Sequence, residues 1–267
     1  MSYWRDKVVL VTGGSNGLGK IIAETFGERG AKVAFVGLEQ GDVETTEKEF
    51  RDRGFDALGL VANVTKEEDA ARIVEETVAK YGKLDALVNA AGRTHRGFLM
   101  QTPVQEVQDL FSLNVLGTFS CTKAAYPRLV ESKGHVVNIG SLAAKSAARW
   151  VGAYPMTKHA VAAFSQQLRL EAKPDGVHVL LVCPGPVKRK TERLYPLKNA
   201  EGIPESALKP GGGVKVGKID PKDLARDILK ACEKRKSELV APKKARLLFA
   251  IQQLCPSLGD WIVLKET

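Results

Sequence analysis

Much of what this sequence lacks is informative. Its four cysteines, Cys121, Cys183, Cys232 and Cys255, lie far apart and form no C-x-x-C pair. That argues against a disulfide framework or a dithiol redox motif, and leaves buried free thiols as the ordinary reading. The four histidines, His95, His135, His159 and His178, show no metal-ligand spacing, so no catalytic metal is expected. No apolar run approaches the length needed to span a bilayer. The first residues, Met-Ser-Tyr-Trp-Arg-Asp-Lys, contain no apolar signal core, and a cytoplasmic protein is expected. There is no finger, homeodomain or RNA-binding signature, so nucleic acid is not an expected partner. Nor is there a sequence repeat.

What is present reads as one large α/β domain. The chain has 267 residues, 44% of them hydrophobic, and 40 Lys+Arg against 31 Asp+Glu give a formal charge of +9. The excess is scattered; it favours anionic ligands by steering and says nothing about fold. Short β-branched apolar runs at 7–12, 31–36, 57–61, 84–88, 136–140, 177–183 and 238–241 predict seven strands. Helical patterns at 42–53, 66–81, 103–129, 154–172 and 221–234 alternate with them, and the tail from 243 is also expected to be helical. A recurring β-then-α unit implies a parallel sheet with helices on both sides.

The first strand ends in Thr12-Gly13-Gly14-Ser15-Asn16-Gly17-Leu18-Gly19, after which a helix begins. Glycines allow a sharp turn and close approach of a ligand, while the free N–H groups and helix dipole attract phosphate. In an open parallel sheet, ligands bind beyond the carboxyl ends of the strands. Gly13, Asn89, Ser141 and Pro184-Gly185 each follow a strand, so all four are expected on one rim.

Tyr154 and Lys158, spaced i, i+4 at the start of a helix, belong to the same rim and share a face. An ammonium beside a phenol favours the phenolate, lowering its pKa from a reference near ~10. Such a tyrosine can give or take a proton, and a serine hydroxyl nearby can hold a carbonyl oxygen while it does.

Taken in order, Thr12–Gly19, Asn89-Ala90-Ala91-Gly92, Asn114, Ser141, Tyr154-Pro-Met-Thr-Lys158 and Pro184-Gly185 resemble the short-chain dehydrogenase/reductase family over roughly the first 185 residues. The resemblance implies a Rossmann-type three-layer sandwich with a seven-stranded parallel sheet, NAD or NADP as cofactor, and a catalytic set of Asn114, Ser141, Tyr154 and Lys158. Ser141 would bind the substrate oxygen and Tyr154 would act as general acid or base. Lys158 would hold the nicotinamide ribose and keep Tyr154 acidic, and Asn114 would hold a water that relays protons to Lys158. It further implies cofactor contacts from Gly13, Ser15, Asn16, Gly17, Leu18, Gly19, Leu38, Asn63, Val64, Asn89, Ala90, Ala91, Gly92, Tyr154, Lys158, Pro184, Gly185 and Val187. The expected reaction is hydride transfer between that cofactor and a carbonyl or secondary alcohol, by a homodimer or homotetramer. A non-catalytic dinucleotide-binding regulator and a ketoacyl-thioester reductase are the alternatives on the same fold.

The sequence departs from the family pattern in places. Ala90 replaces a second asparagine, Asn63 a common aspartate, and Arg189 stands where a threonine near the carboxamide is usual, with Thr191 two residues on. Gly37 removes the aspartate that usually marks NAD, and neither Asn16 nor Leu38 is the basic residue that usually marks NADP. Glu39 reads as a solvated loop charge. With Lys20 and the basic loop at hand, NADP is weakly favoured. Residues 186–220, basic through Lys188, Arg189, Lys190, Arg193 and Lys198 and containing Gly211-Gly212-Gly213, are expected to form a substrate loop. The extension at 242–267, with apolar stretches 245–251 and 261–264, looks more like the family branch acting on lipophilic ketones. It is expected to wall the pocket, pack at an interface or touch a membrane surface.

Overall fold

In the computed structural model, which describes residues 2–188, 203–208 and 217–266, the seven apolar runs form seven strands. They are β1 (Val8–Thr12), β2 (Lys32–Gly37), β3 (Ala57–Val61), β4 (Ala86–Asn89), β5 (His135–Ile139), β6 (His178–Pro184) and β7 (Glu238–Ala241). All pair in parallel in the order β3-β2-β1-β4-β5-β6-β7. The order reverses at β1, which pairs β2 on one side and β4 on the other. That is where the connections leaving adjacent strands run in opposite directions and a crevice opens.

Successive strand residues point to opposite faces, and each face carries its own helices. Val9, Val11, Val33 and Phe35 pack with Ile22 and Phe26 of α1 (Gly17–Gly27), Phe50 of α2 (Gln40–Asp52) and Ile228 of α7 (Pro221–Glu233). Val8, Leu10, Ala34 and Val36 pack with Ile73 of α3 (Glu67–Tyr81) and Leu129 of α5 (Gly117–Ser132). Leu168 of α6 (Tyr154–Glu171) joins that second layer. Each fully buried side chain of this size contributes roughly 1.5–3 kcal/mol, so both faces must be covered for the sheet to persist.

Two helical expectations change. The pattern at 103–129 is one helix by periodicity, but the structure interrupts it. Helix α4 (Val104–Phe111) passes through a π-helical turn, Ser112–Leu116, before α5 begins. A single extra residue per turn leaves the apolar period nearly intact, so sequence alone does not reveal it. The C-terminal tail is two helices, α8 (Ala245–Leu254) and α9 (Pro256–Glu266). Cys255, which precedes a proline and is therefore biased away from helix, separates them.

Residues Val187 and Ile219 bridge in parallel, with Lys188 N–H on the Ile219 carbonyl and Ile219 N–H on the Pro186 carbonyl, both at 2.8 Å. The ends of the expected substrate loop are thus pinned together. Arg189, Lys190, Thr191, Arg193, Lys198 and Gly211 to Gly213 lie outside the described residues. No helix among the described residues is long and apolar enough to cross a membrane.

Candidate active site

A continuous cleft of about 2540 Å³ opens at the carboxyl ends of the strands, across the point where strand order reverses. Its floor is made by the first glycine turn meeting the segment after β4. Gly13 has φ +64°, and a Cβ there would stand 2.9 Å from the Ala91 Cα and N. Only a residue without a side chain lets the two loops approach so closely. Thr12 organises the second loop, its hydroxyl oxygen accepting the N–H groups of Ala90 and Ala91 at 3.2 Å. Ser15 is held from behind, because the Thr46 hydroxyl donates to its carbonyl at 2.9 Å. Gly13, Ser15, Asn16, Gly17, Leu18 and Gly19 all line the cleft, as do Ala90, Ala91 and Gly92.

The proton-transfer candidates meet on the other side of this floor. Ser141, Tyr154 and Lys158 line the same cleft, together with Pro184, Gly185 and Val187. The Ser141 hydroxyl oxygen accepts the Ala143 N–H at 3.1 Å, which fixes the serine where β5 ends. Tyr154 and Lys158 share one face of α6, with the Lys158 Nζ 5.8 Å from the tyrosine ring centroid. The Lys158 ammonium is buried and donates to the Ile139 carbonyl at 2.7 Å. Burial lowers its pKa to about 8, because the charged form loses water.

Asn114 is fully buried on the π-helical turn and does not line the cleft. Its side chain clamps the loop after Gly92: Oδ1 accepts the Arg93 N–H at 2.9 Å, and Nδ2 donates to the Arg93 carbonyl at 2.9 Å. Nδ2 also donates to the Thr157 hydroxyl at 3.0 Å, one residue before Lys158. Asn114 therefore joins α6 to the cleft floor from within.

Three residues expected to touch the cofactor, Asn63, Val64 and Asn89, do not line this cleft. Asn89 points into the interior, donating to Thr122 Oγ1 and Asn138 Oδ1, each at 2.9 Å. A strand-end residue faces either the rim or the sheet interior, and here the pleat sends it inward. Asn63 caps the approach to α3, its Oδ1 accepting from the Thr65 N–H and hydroxyl. Val64 is buried in the second core layer. Leu38, by contrast, is exposed on the cleft.

Other residues line the cleft too. Asp42, in the first turn of α2, accepts the Asn16 side-chain amide at 2.5 Å. Arg93, Thr94, His95 and Arg96 form a polar rim, with Arg93 paired to Glu106 at 2.5 Å. Leu248 and Ile251 of α8, and Ile262 and Val263 of α9, supply an apolar wall. Of these, only the apolar stretches of the tail carried a sequence signal, a pocket wall being one of the three roles expected of them. Recognising the others requires knowing which helix turn and which loop meet at the rim.

A parallel sheet with a glycine-rich turn at its reversal point, joined to Ser, Tyr and Lys on the same rim, is the arrangement of a dinucleotide-fold oxidoreductase class. The family model for short chain dehydrogenases matches residues 7–201. A diacetyl reductase [(S)-acetoin forming] of Staphylococcus epidermidis is 30% identical over 228 residues, covering 82% of this chain and 89% of that protein. An L-fucose dehydrogenase of Bos taurus is 37% identical over 183 residues, covering 68% of this chain and 66% of that protein. A short chain dehydrogenase/reductase from Burkholderia phymatum, solved in complex with NAD, superposes with a TM-score of 0.86 over 97% of this chain and 96% of that one. At 20% identity that likeness concerns the fold. The chain belongs to the short-chain dehydrogenase/reductase family of oxidoreductases.

Proposed function

We propose that this enzyme interconverts a carbonyl and a secondary alcohol with a nicotinamide dinucleotide as hydride partner, and that its substrate is a lipophilic ketone or the matching alcohol. The observation that carries the reading is the meeting of Ser141, Tyr154 and Lys158 with the Gly13 turn in one cleft. The cradle fits the cofactor: a Cβ on Gly17 would meet no protein atom within 4 Å, and the first turn of α1 leaves backbone N–H groups without helical partners for an anion to accept. Residues Gly13 to Gly19 and Ala90 to Gly92 would hold the dinucleotide, which when bound supplies or takes the hydride.

The chain's own residues do the rest. Ser141 holds the substrate oxygen against Tyr154. Tyr154 donates its phenolic proton as the carbonyl becomes an alcohol, or takes it in the reverse direction. The Lys158 ammonium, desolvated beneath the tyrosine, stabilises the negative charge that develops on the phenol oxygen. Asn114 acts as a positioning residue, holding Arg93 and Thr157 and through them the cleft floor and the first turn of α6.

Observations at the adenosine end support NAD over NADP. Lys20, the cation that favoured NADP, is paired with Glu49 at 2.6 Å, and Arg53 is paired with Glu24 and Glu28 at 2.6 and 2.8 Å. Asp42 and Glu39 line the same end. A 2′-phosphate there would meet carboxylates, whereas ribose hydroxyls could donate to them. Gly37 admits no acid of its own, because a Cβ would run into the Ser15 side chain.

The apolar wall from Leu248, Ile251, Ile262 and Val263 supports the lipophilic substrate. We read the chain as one domain in which residues 186–220 form the substrate loop and 242–267 the wall. Exposed Phe119 on α5 and Met156 and Leu170 on α6 support a homodimer or homotetramer, which light scattering would test.

The test of the function is a panel of ketones and secondary alcohols, graded in size and polarity, run with NAD(H) and NADP(H). Turnover with NAD(H) is expected, with lipophilic ketones ahead of small polar ones. Cofactor binding without turnover across the panel would overturn the catalytic reading.

A further inference from the structure

At the end of the sheet opposite the cleft, β5 and β6 begin with His135 and His178, which are paired in register. Both are buried, at 1% and 6% exposure, and Cys232 of α7 beside them is at 0%. One donor atom from each of these three residues lies within 4.8 Å of the other two. They are 43 and 54 positions apart in sequence, which is why histidine and cysteine spacing gives no hint of the cluster.

The hydrogen-bond directions follow from a single carbonyl. The Lys236 carbonyl can only accept, so His178 Nε2, 2.8 Å away, carries the hydrogen and Nδ1 is left as an acceptor. His135 Nδ1, at 2.9 Å from that atom, therefore donates. His135 Nε2 is then the acceptor for the Tyr3 hydroxyl at 2.8 Å. Each imidazole thus has its outer nitrogen engaged by an oxygen and its inner nitrogen turned to the other histidine. Metal-ligating histidines donate the distal N–H to a carbonyl, carboxylate or water; His178 already does so, and His135 needs only a change of tautomer.

We propose that His135, His178 and Cys232 form a site for a soft monovalent d¹⁰ cation, copper(I), unconnected with the redox reaction in the cleft. Two imidazoles and a thiolate match that cation in softness and in three-coordination. Charge decides against zinc(II). A monovalent ion with one thiolate is neutral, whereas a divalent ion would leave a net positive charge buried without water, which is strongly unfavourable. Among the described residues the cluster also has no fourth donor to complete a tetrahedral zinc site.

Protons balance on binding. The cation replaces the hydrogen between the two Nδ1 atoms, and that hydrogen moves to His135 Nε2. Tyr3 then accepts instead of donating, and its own hydrogen turns to water, since the tyrosine is 44% exposed. The Cys232 thiol proton is released to solvent. No electron is transferred.

The test uses the full chain carrying Cys255→Ser, which removes the exposed thiol. Copper(I) is presented anaerobically from a chelator buffer, zinc(II) in a parallel arm, and metal per chain is measured after desalting. About one copper per chain is expected, with at least a tenfold loss on adding Cys232→Ser or His178→Asn and none on adding Cys121→Ser. Should the Cys232 variant fail to fold, a thermal scan of the parent decides. Copper(I) at ~100-fold over Kd should raise Tm by roughly 5–10 °C without changing kcat. No retained copper, zinc retained in preference, or retention undiminished in folded Cys232→Ser overturns the proposal.

Discussion

The Lys158 ammonium is held at 2.7 Å by the Ile139 carbonyl, directly beneath the face of α6 that carries Tyr154. In the proposed reaction a cation fixed there serves the chemistry, and burying it has a cost to the fold. Burial lowers its pKa from 10.5 to about 8. Between those values the unfolded chain binds more protons than the folded one, so stability rises with pH across the window from about 8 to 10.5 and the full cost is felt below 8. That cost is about 3 kcal/mol, offset in part by a hydrogen bond worth ~1–3 kcal/mol. Lys158→Met should therefore be inactive yet at least as thermostable as wild type at pH 7, its advantage vanishing near pH 10.5. Thermal scans of both proteins from pH 6 to 10.5 check this, and a variant much less stable at pH 7 would show that the charge is not costly.

Tyr154→Phe removes the only proton that the proposed general acid can give while keeping its ring. Turnover should fall by at least ~10²–10⁴-fold, the usual worth of a positioned acid or base. Cofactor affinity, read by thermal shift, should stay within about threefold, ~0.6 kcal/mol. A kcat near wild type would remove Tyr154 from the mechanism.

Asp42 sets the cofactor ratio in this reading. Asp42→Ala should raise the NADP/NAD ratio of kcat/KM by about tenfold, equal to ~1.4 kcal/mol, through lost repulsion of a 2′-phosphate and lost binding of a ribose hydroxyl. Steady-state kinetics with each cofactor measure it directly. An unchanged ratio would place the adenosine ribose away from α2.

Asn89 is predicted to matter for stability and little for the cofactor. Its amide joins β4 to Thr122 and Asn138 across the buried layer. Asn89→Ala leaves those partners unmatched, a loss of about 2 kcal/mol or roughly 4–8 °C in Tm. KM for the cofactor should change less than twofold. A large rise in KM with an unchanged Tm would return Asn89 to the cofactor site.

What the sequence by itself determined is the local and the periodic. Seven β-branched runs alternating with helical patterns have one well-packed solution, a parallel sheet covered on both faces, and the structure has it. The glycine turn and the i, i+4 spacing of Tyr154 and Lys158 are set within a few residues of backbone, so both could be read directly. Their shared cleft followed from one rule about strand ends. Tertiary structure decided the rest, because the deciding contacts join segments far apart in the chain. The pleat of β4 turned Asn89 inward, and a π-helical turn put Asn114 behind Arg93 rather than in the cleft. The first turn of α2 brought Asp42 against Asn16, and α8 with α9 closed one wall. At the far end of the sheet, strand register alone set His135 beside His178. Periodicity specifies which face of an element is buried; it does not specify which distant residue that face will meet.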